Sequence, residues 1–261
     1  MSRTRRLDLE LVRRGLTSSR TEARRLIEDG HVTVKGLLVD RPASLVTPDD
    51  AVAIAEDAPA FVSRGGAKLD SALSRLDVVV EGRKWMDAGA STGGFTDRLL
   101  QGGATAVVAV DVGYGQFDWR LRNDERVVLL ERTNVRTLGA SDLPWIPDAV
   151  VADLSFISLR TVLPVLARIA APDADHILLV KPQFEVGRAA LKRGVVRDPA
   201  QWNGAVEDVV FSSESVGMGL VDVALAEPPG PSGNREFFVH LRRGASGGHE
   251  AIAREVGRAA S

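Results

Sequence analysis

A chain of 261 residues, 44% hydrophobic and 26% charged with a formal net charge of −2, has the composition of a globular protein with room for one large domain and one small one. The absence of cysteine excludes disulfides, thiolate zinc sites, iron–sulfur clusters and cysteine nucleophiles, and four scattered histidines argue against a metal site. No apolar run approaches the roughly 20 residues a membrane helix needs, and Met1 to Arg6 lacks the apolar core of a signal peptide, so a cytoplasmic protein is expected.

The first 36 residues carry nine Lys or Arg against five acids, so near-neutrality overall hides a basic front end. Leu7, Leu11 and Val12 recur at helical spacing. Ser19-Arg-Thr-Glu22 reads as a capping box that opens a second helix through Ala23, Leu26 and Ile27 to Gly30. Val32 and Val34 alternate with polar neighbours, Lys35-Gly36 supplies a turn, and Leu37 to Val39 and Val52 to Ile54 supply further short strands. Arg6, Arg13, Arg14, Arg20, Arg24 and Arg25 gather around the two helices, where guanidinium forks suit phosphate oxygens; a solvated helix face is the plainer reading of the same charges. Ala55 to Phe61, with Pro59, reads as a linker, placing a boundary near residue 60 between a module at 1–60 and a domain at 61–261.

Beyond the boundary, strands and helices alternate. Strands are expected at 84–86, 105–110, 127–130, 149–152, 177–180, 221–226 and 237–241, with helices at 67–76, 95–100, 159–169 and 200–215. The fold class is therefore α/β, a doubly wound Rossmann-like sheet whose last strand runs antiparallel, preceded by a small α+β module.

The turn Asp87-Ala-Gly-Ala-Ser-Thr-Gly-Gly-Phe-Thr96 joins the first of these strands to a helix. Its glycines at 89, 93 and 94 miss the G-x-G-x-x-G spacing of a dinucleotide site, and Asp87 would repel a pyrophosphate. A cofactor with a cationic end fits better, and S-adenosylmethionine carries both an ammonium and a sulfonium. Asp111, 24 residues on at the end of the next strand, is placed to accept ribose hydroxyls. Further cofactor contacts are expected from Gly89, Ser91, Thr92, Gly93 and Phe95 in the turn and from Asn134 near the adenine.

In such sheets ligands lie off the carboxyl ends of the strands. Asp153 ends the fourth strand and Lys181 the fifth, and an antiparallel final strand brings Glu236 at its start to the same edge. Lys68 precedes the sheet, and spacing alone cannot bring it there. Singly, each has an ordinary explanation as a helix surface charge, a helix cap, a strand end or an edge-strand charge. Arg64, Arg188, Lys192, Arg193 and Arg197 stand in or beside glycine-punctuated stretches, where they either clamp a nucleic-acid backbone or belong to solvated loops.

Several runs resemble known families. Arg6-Leu-Asp8, Gly15-Leu16, Ser19-Arg20, Leu26-Ile27, Gly30 and Val32-Thr-Val34 resemble the S4 RNA-binding domain, in which Asp8 reads as structural. Ser63-Arg64, Lys68-Leu69, the 87–96 turn, Asp153-Leu-Ser-Phe and Lys181-Pro-Gln-Phe-Glu185 look like the FtsJ-type ribose 2′-O-methyltransferases, and that resemblance implies a tetrad of Lys68, Asp153, Lys181 and Glu236. With Asp111-Val-Gly-Tyr-Gly-Gln116, Glu131-Arg-Thr-Asn134 and Pro229-Gly-Pro-Ser-Gly-Asn234, nearly the whole chain is similar to the TlyA family. The resemblance implies 2′-O-methylation of cytidines in ribosomal RNA, with S-adenosylmethionine as cofactor, ribosomal RNA or subunits as partner, and a neutral Lys181 as base. Pro59-Ala60-Phe61 departs from an Arg-x-Trp linker found in some relatives. Two other readings are a catalytically silent rRNA-binding or ribosome-assembly protein and, from the haemolysin label of the family, a membrane-lytic one. The second calls for a long apolar segment or a strongly amphipathic basic helix, and 248–260 is too mixed in charge to serve.

Overall fold

The computed structural model describes residues 4–28, 30–35, 37–39, 41–54, 60–186, 194–230 and 233–261. The chain divides into two compact units, 1–64 and 65–261. The expected turn at Gly36 and the linker over 55–59 lie outside the described residues.

In the first unit β1 (Arg5–Arg6) leads into α1 (Leu7–Arg13) and α2 (Arg20–Glu28), followed by β2 (Val32–Val34), β3 (Leu37–Leu38), β4 (Leu45–Val46) and β5 (Val52–Ile54). Leu7 and Leu11, one helical turn apart, pack with Ala23, Ile27, Val32 and Val46 in a small core. β2 lies between β3 and β5, antiparallel to both. The expected capping box forms only in half. Ser19 Oγ accepts from Glu22 N at 3.2 Å, but the Glu22 carboxylate turns to the backbone N–H and hydroxyl of Ser18.

The second unit begins with α3 (Arg64–Arg75) and continues β6 (Lys84–Ala88), α4 (Gly94–Gln101), β7 (Ala106–Val110), α5 (Trp119–Arg122), β8 (Val127–Leu130), β9 (Ala149–Ala152), α6 (Leu159–Ile169), β10 (Asp175–Val180), α7 (Pro182–Glu185), α8 (Pro199–Glu214), β11 (Met218–Leu225), β12 (Phe237–Arg243) and α9 (His249–Ala260). Among the described residues the sheet has seven strands in the order β11-β12-β10-β9-β6-β7-β8. Pairs from β10 through β8 are parallel, and β12 is antiparallel to both of its neighbours. β9 and β10 are buried along their whole length, which is why residues 149–152 and 177–180 read as apolar runs without alternation. α6 survives Pro164 in its interior because Val162, Leu163, Leu166 and Ile169 all bury against the sheet. Among the described residues no helix is long and apolar enough to cross a membrane.

The topology positions the site. β7 and β9 flank β6, so the direction of winding reverses there and opens a crevice beyond the strand ends. Asp87, Asp111 and Asp153 sit at the ends of these three neighbouring strands. Lys181 follows β10, and the pairing of Val180 with Phe237 puts Glu236 at the same edge.

Candidate active site

The turn after β6 needs its glycines for two different reasons. Gly89 has φ +88°, and a Cβ there would lie 2.3 Å from the Asp153 carbonyl oxygen, so only glycine lets the turn pass the end of β9. Gly93 has φ +98° and would strike Leu121 Cδ1 at 2.4 Å, so its smallness serves packing against α5. Ser91, also left-handed, donates its N–H to Asp111 Oδ2 at 2.8 Å.

Asp87 is fully buried. One carboxylate oxygen accepts from Thr96 Oγ1 at 2.7 Å, and the other has no partner among the described residues. Burial pushes this carboxyl up to about 7, against the Thr96 hydrogen bond and helped by the nearby charges of Asp153 and Asp111. Three acids therefore crowd the point where the winding reverses.

Beside them lies a cavity of about 380 Å³ bordered by Gly89, Ser91, Asp111, Asn134, Asp153 and an apolar wall that includes Val110, Val135 and Ile157. Asp111 also accepts from Gly113 N at 2.6 Å, and Asn134 accepts from Arg136 N at 3.0 Å while capping a short turn. Thr92, Gly93 and Phe95 do not border the cavity; Phe95 is buried with its ring 5.9 Å from that of Phe238. The residues fit the donor considered from sequence. An acidic crevice suits its cationic end, Asp111 its ribose, and the apolar wall a base.

The four residues named for chemistry meet as two ion pairs. Lys181 Nζ contacts the Asp153 carboxylate and donates to Ser155 Oγ at 3.1 Å. Lys68 Nζ donates to Glu236 Oε2 at 2.6 Å, with both side chains buried. Gln183, two residues after Lys181, donates to Glu236 Oε1 at 3.3 Å and so links the strand ends that carry the two pairs. Gly230 leaves room for that carboxylate, since a Cβ there would lie 2.3 Å from Glu236 Oε1. Glu185 accepts from Leu159 N at 2.7 Å and from the Ser158 hydroxyl, clamping the loop after β9 to the one after β10.

Phe156 is 92% exposed at the cavity border, with a left-handed φ of +65° and its ring 5.3 Å from that of Phe184. An exposed phenylalanine on a disfavoured backbone forgoes both burial and local comfort. Ser155, Phe156, Gln183 and Glu185 escaped the sequence reading as site residues although they lie in the Asp153-Leu-Ser-Phe and Lys181-Pro-Gln-Phe-Glu runs. Short irregular loops have no period from which to read side-chain direction.

The basic first unit departs from what its charges alone suggest. Asp8 is fully buried and accepts from Arg6 Nε and Arg20 Nε, each at 3.0 Å, in keeping with a structural role. Glu10, equally buried, takes Arg13 Nε and Arg14 Nε at 2.8 Å each, and Arg14 also donates to the Asp50 carbonyl. Hydrogen bonds from Arg6 and from Arg13 hold the two carboxyls below their usual range. Arg24 and Arg25 are exposed. Arg64 opens α3, and Arg188, Lys192 and Arg193 lie outside the described residues.

A doubly wound sheet with one antiparallel strand, an acidic crevice at its reversal point and a small basic module preceding it in the chain are the features of a Rossmann-like methyltransferase joined to an RNA-binding domain. Residues 61–243 match the FtsJ-like methyltransferase family and residues 5–52 the S4 domain. The 16S/23S rRNA (cytidine-2′-O)-methyltransferase TlyA of Mycobacterium tuberculosis is 51% identical over 244 residues, which cover 93% of this chain and 91% of the relative. Hemolysin A of Brachyspira hyodysenteriae is 34% identical over 238 residues, covering 90% of this chain and 99% of the relative. A solved structure carrying the hemolysin name, from Streptococcus thermophilus, superposes with a TM-score of 0.78 at 35% identity, covering 99% of this chain and 96% of that one. The chain belongs to the TlyA family of FtsJ-like methyltransferases with an S4 domain.

Proposed function

We propose that this protein methylates the 2′-hydroxyl of cytidine in ribosomal RNA with S-adenosylmethionine as methyl donor, working in the cytoplasm, with an S4-like module up to about residue 60 and a catalytic domain after it. The observation that carries the reading is the placement of Lys181: its two partners, Asp153 and Ser155, both border the acidic cavity. The M. tuberculosis relative, named for this reaction, aligns over nearly all of the chain.

Asp87, Gly89, Ser91, Asp111 and Asn134 would hold the donor, while Thr92, Gly93 and Phe95 shape the turn. When bound, the donor supplies an activated methyl on a sulfonium, a leaving group that needs no protonation. The protein's own task is positioning and proton handling. Lys181 in its neutral form takes the proton of the ribose hydroxyl as the oxygen gains the methyl group, and Asp153 pairs with the ammonium that results. Ser155 fixes the direction of the Lys181 head, and the buried Lys68–Glu236 pair, steadied by Gln183, orients the sugar beside it. Alignment of this kind can lower a barrier by several kcal/mol, of order 7 in favourable cases. Phe156 offers a stacking face for the cytosine once it leaves its helix, and the arginines of the first unit with Arg64 contact phosphates.

Incubation of the protein with labelled S-adenosylmethionine and each ribosomal subunit, followed by mapping of the label, tests the reading. Label on cytidine ribose is expected. Label on a base, or donor binding with no transfer to either subunit, contradicts it.

A further inference from the structure

Away from the tetrad, Asn234 ties together two loops of the second unit. Its Oδ1 accepts from Val196 N and its Nδ2 donates to the Gly194 carbonyl, each at 3.3 Å. The residue following each partner of the first bond is an arginine, Arg197 beside Val196 and Arg235 beside Asn234. Both border one open cleft of about 460 Å³, whose floor includes Val196 and Trp202 and whose far wall is the end of α9. Trp202 Nε1 donates to the Val196 carbonyl at 3.0 Å, so the floor is fixed.

Among the described residues neither guanidinium has a hydrogen bond or an ion pair. Elsewhere in this unit Arg83, Arg126 and Arg242 each bind a carboxylate. The acids next to the cleft are engaged: Asp198 caps α8 through Ala200 N, and Glu236 is turned inward to Lys68. The end of α9 contributes a fractional negative charge of about half a unit, well short of two guanidiniums. Two unpaired cations bordering one open cleft suit a phosphate oxygen set, which a guanidinium fork matches in geometry as well as charge.

We propose that Arg197 and Arg235 form a phosphate-binding cleft that grips the RNA backbone. The inference rests on the reading of the chain as an RNA methyltransferase.

Binding of protein-free large-subunit rRNA is measured over a salt series for wild type, Arg197→Ala/Arg235→Ala and Arg197→Lys/Arg235→Lys, with thermal melting and donor binding followed in parallel. The double alanine variant is expected to melt and bind the donor as wild type does, while its plot of log affinity against log salt becomes shallower by about 0.7–0.9 for each phosphate that the variant leaves unneutralised. The lysine variant recovers most of the slope, since charge is retained. An unchanged slope and affinity in the alanine variant overturns the cleft. So does a defect on intact subunits that is missing on protein-free RNA, which assigns the cleft to a ribosomal protein. Wild-type protein that binds rRNA or its subunits but never methylates them sinks the parent reading instead, and the slope comparison still decides the cleft.

Discussion

Lys68 and Glu236, 168 positions apart, meet in a buried ion pair of 2.6 Å that ties the helix before the sheet to its last strand. Removing either partner leaves the other charge buried and alone, which costs about 3–5 kcal/mol. Lys68→Ala and Glu236→Ala should each lower stability by this order in denaturant melts. The double variant Lys68→Met/Glu236→Leu should recover most of that stability yet transfer no methyl group. Recovery of activity along with stability would reduce the pair to a structural strut.

Asp87 makes a pH dependence with a definite sign. Its folded carboxyl titrates at about 7, well above its ordinary value, so between roughly pH 4 and 7 the unfolded chain has released a proton that the folded protein keeps. Stability from this group is full below that window and is lost as pH rises through it. Asp87→Asn, which keeps the shape beside Thr96, should flatten the stability profile and be the more stable protein at neutral pH. A cationic donor favours the ionised form, so its affinity for wild type should rise with pH up to about 7 and lose that rise in the variant. Calorimetry at several pH values reads both effects, and identical profiles for the two proteins would contradict the assignment.

The exposed ring of Phe156 should matter for RNA and not for folding. Phe156→Ala is expected to change stability by no more than about 0.5 kcal/mol, since the side chain buries almost nothing. One base stacked on an aromatic ring is worth about 1–3 kcal/mol, so kcat/KM on rRNA should fall roughly tenfold or more while donor binding holds. Leucine at this position should not restore it, whereas tyrosine should.

Gly89→Ala tests the closeness of the turn to β9. The added methyl meets backbone, and the left-handed φ adds strain of about 1–3 kcal/mol. Weaker donor binding together with a lower melting temperature is expected, and wild-type donor affinity would show that the turn has slack.

Much of this was legible in the sequence where a period or a strand end carried the signal. The strands and long helices of the second unit, the reversed last strand and the acidic residues at the strand tips follow from apolar runs of the right length separated by turn residues. α6 is such a case, readable in spite of Pro164 because its buried stripe is unbroken. What stayed hidden depends on pairings between residues far apart in the chain. No spacing rule joins Lys68 to Glu236. Asp8 reads as structural only through the S4 resemblance, and no spacing rule shows that Arg6 and Arg20 meet on it or that Arg13 and Arg14 meet on Glu10. Nor does any spacing rule show that Leu121 and Phe117 close on Gly93.

Lys181 carries the central claim, and one paired measurement on Lys181→Ala tests it most directly: donor binding by calorimetry and methyl transfer to rRNA by label incorporation, on the same preparation. The account predicts donor affinity close to wild type and no transfer above background. Transfer at a wild-type rate, or loss of donor binding and transfer together, would contradict a base at this position.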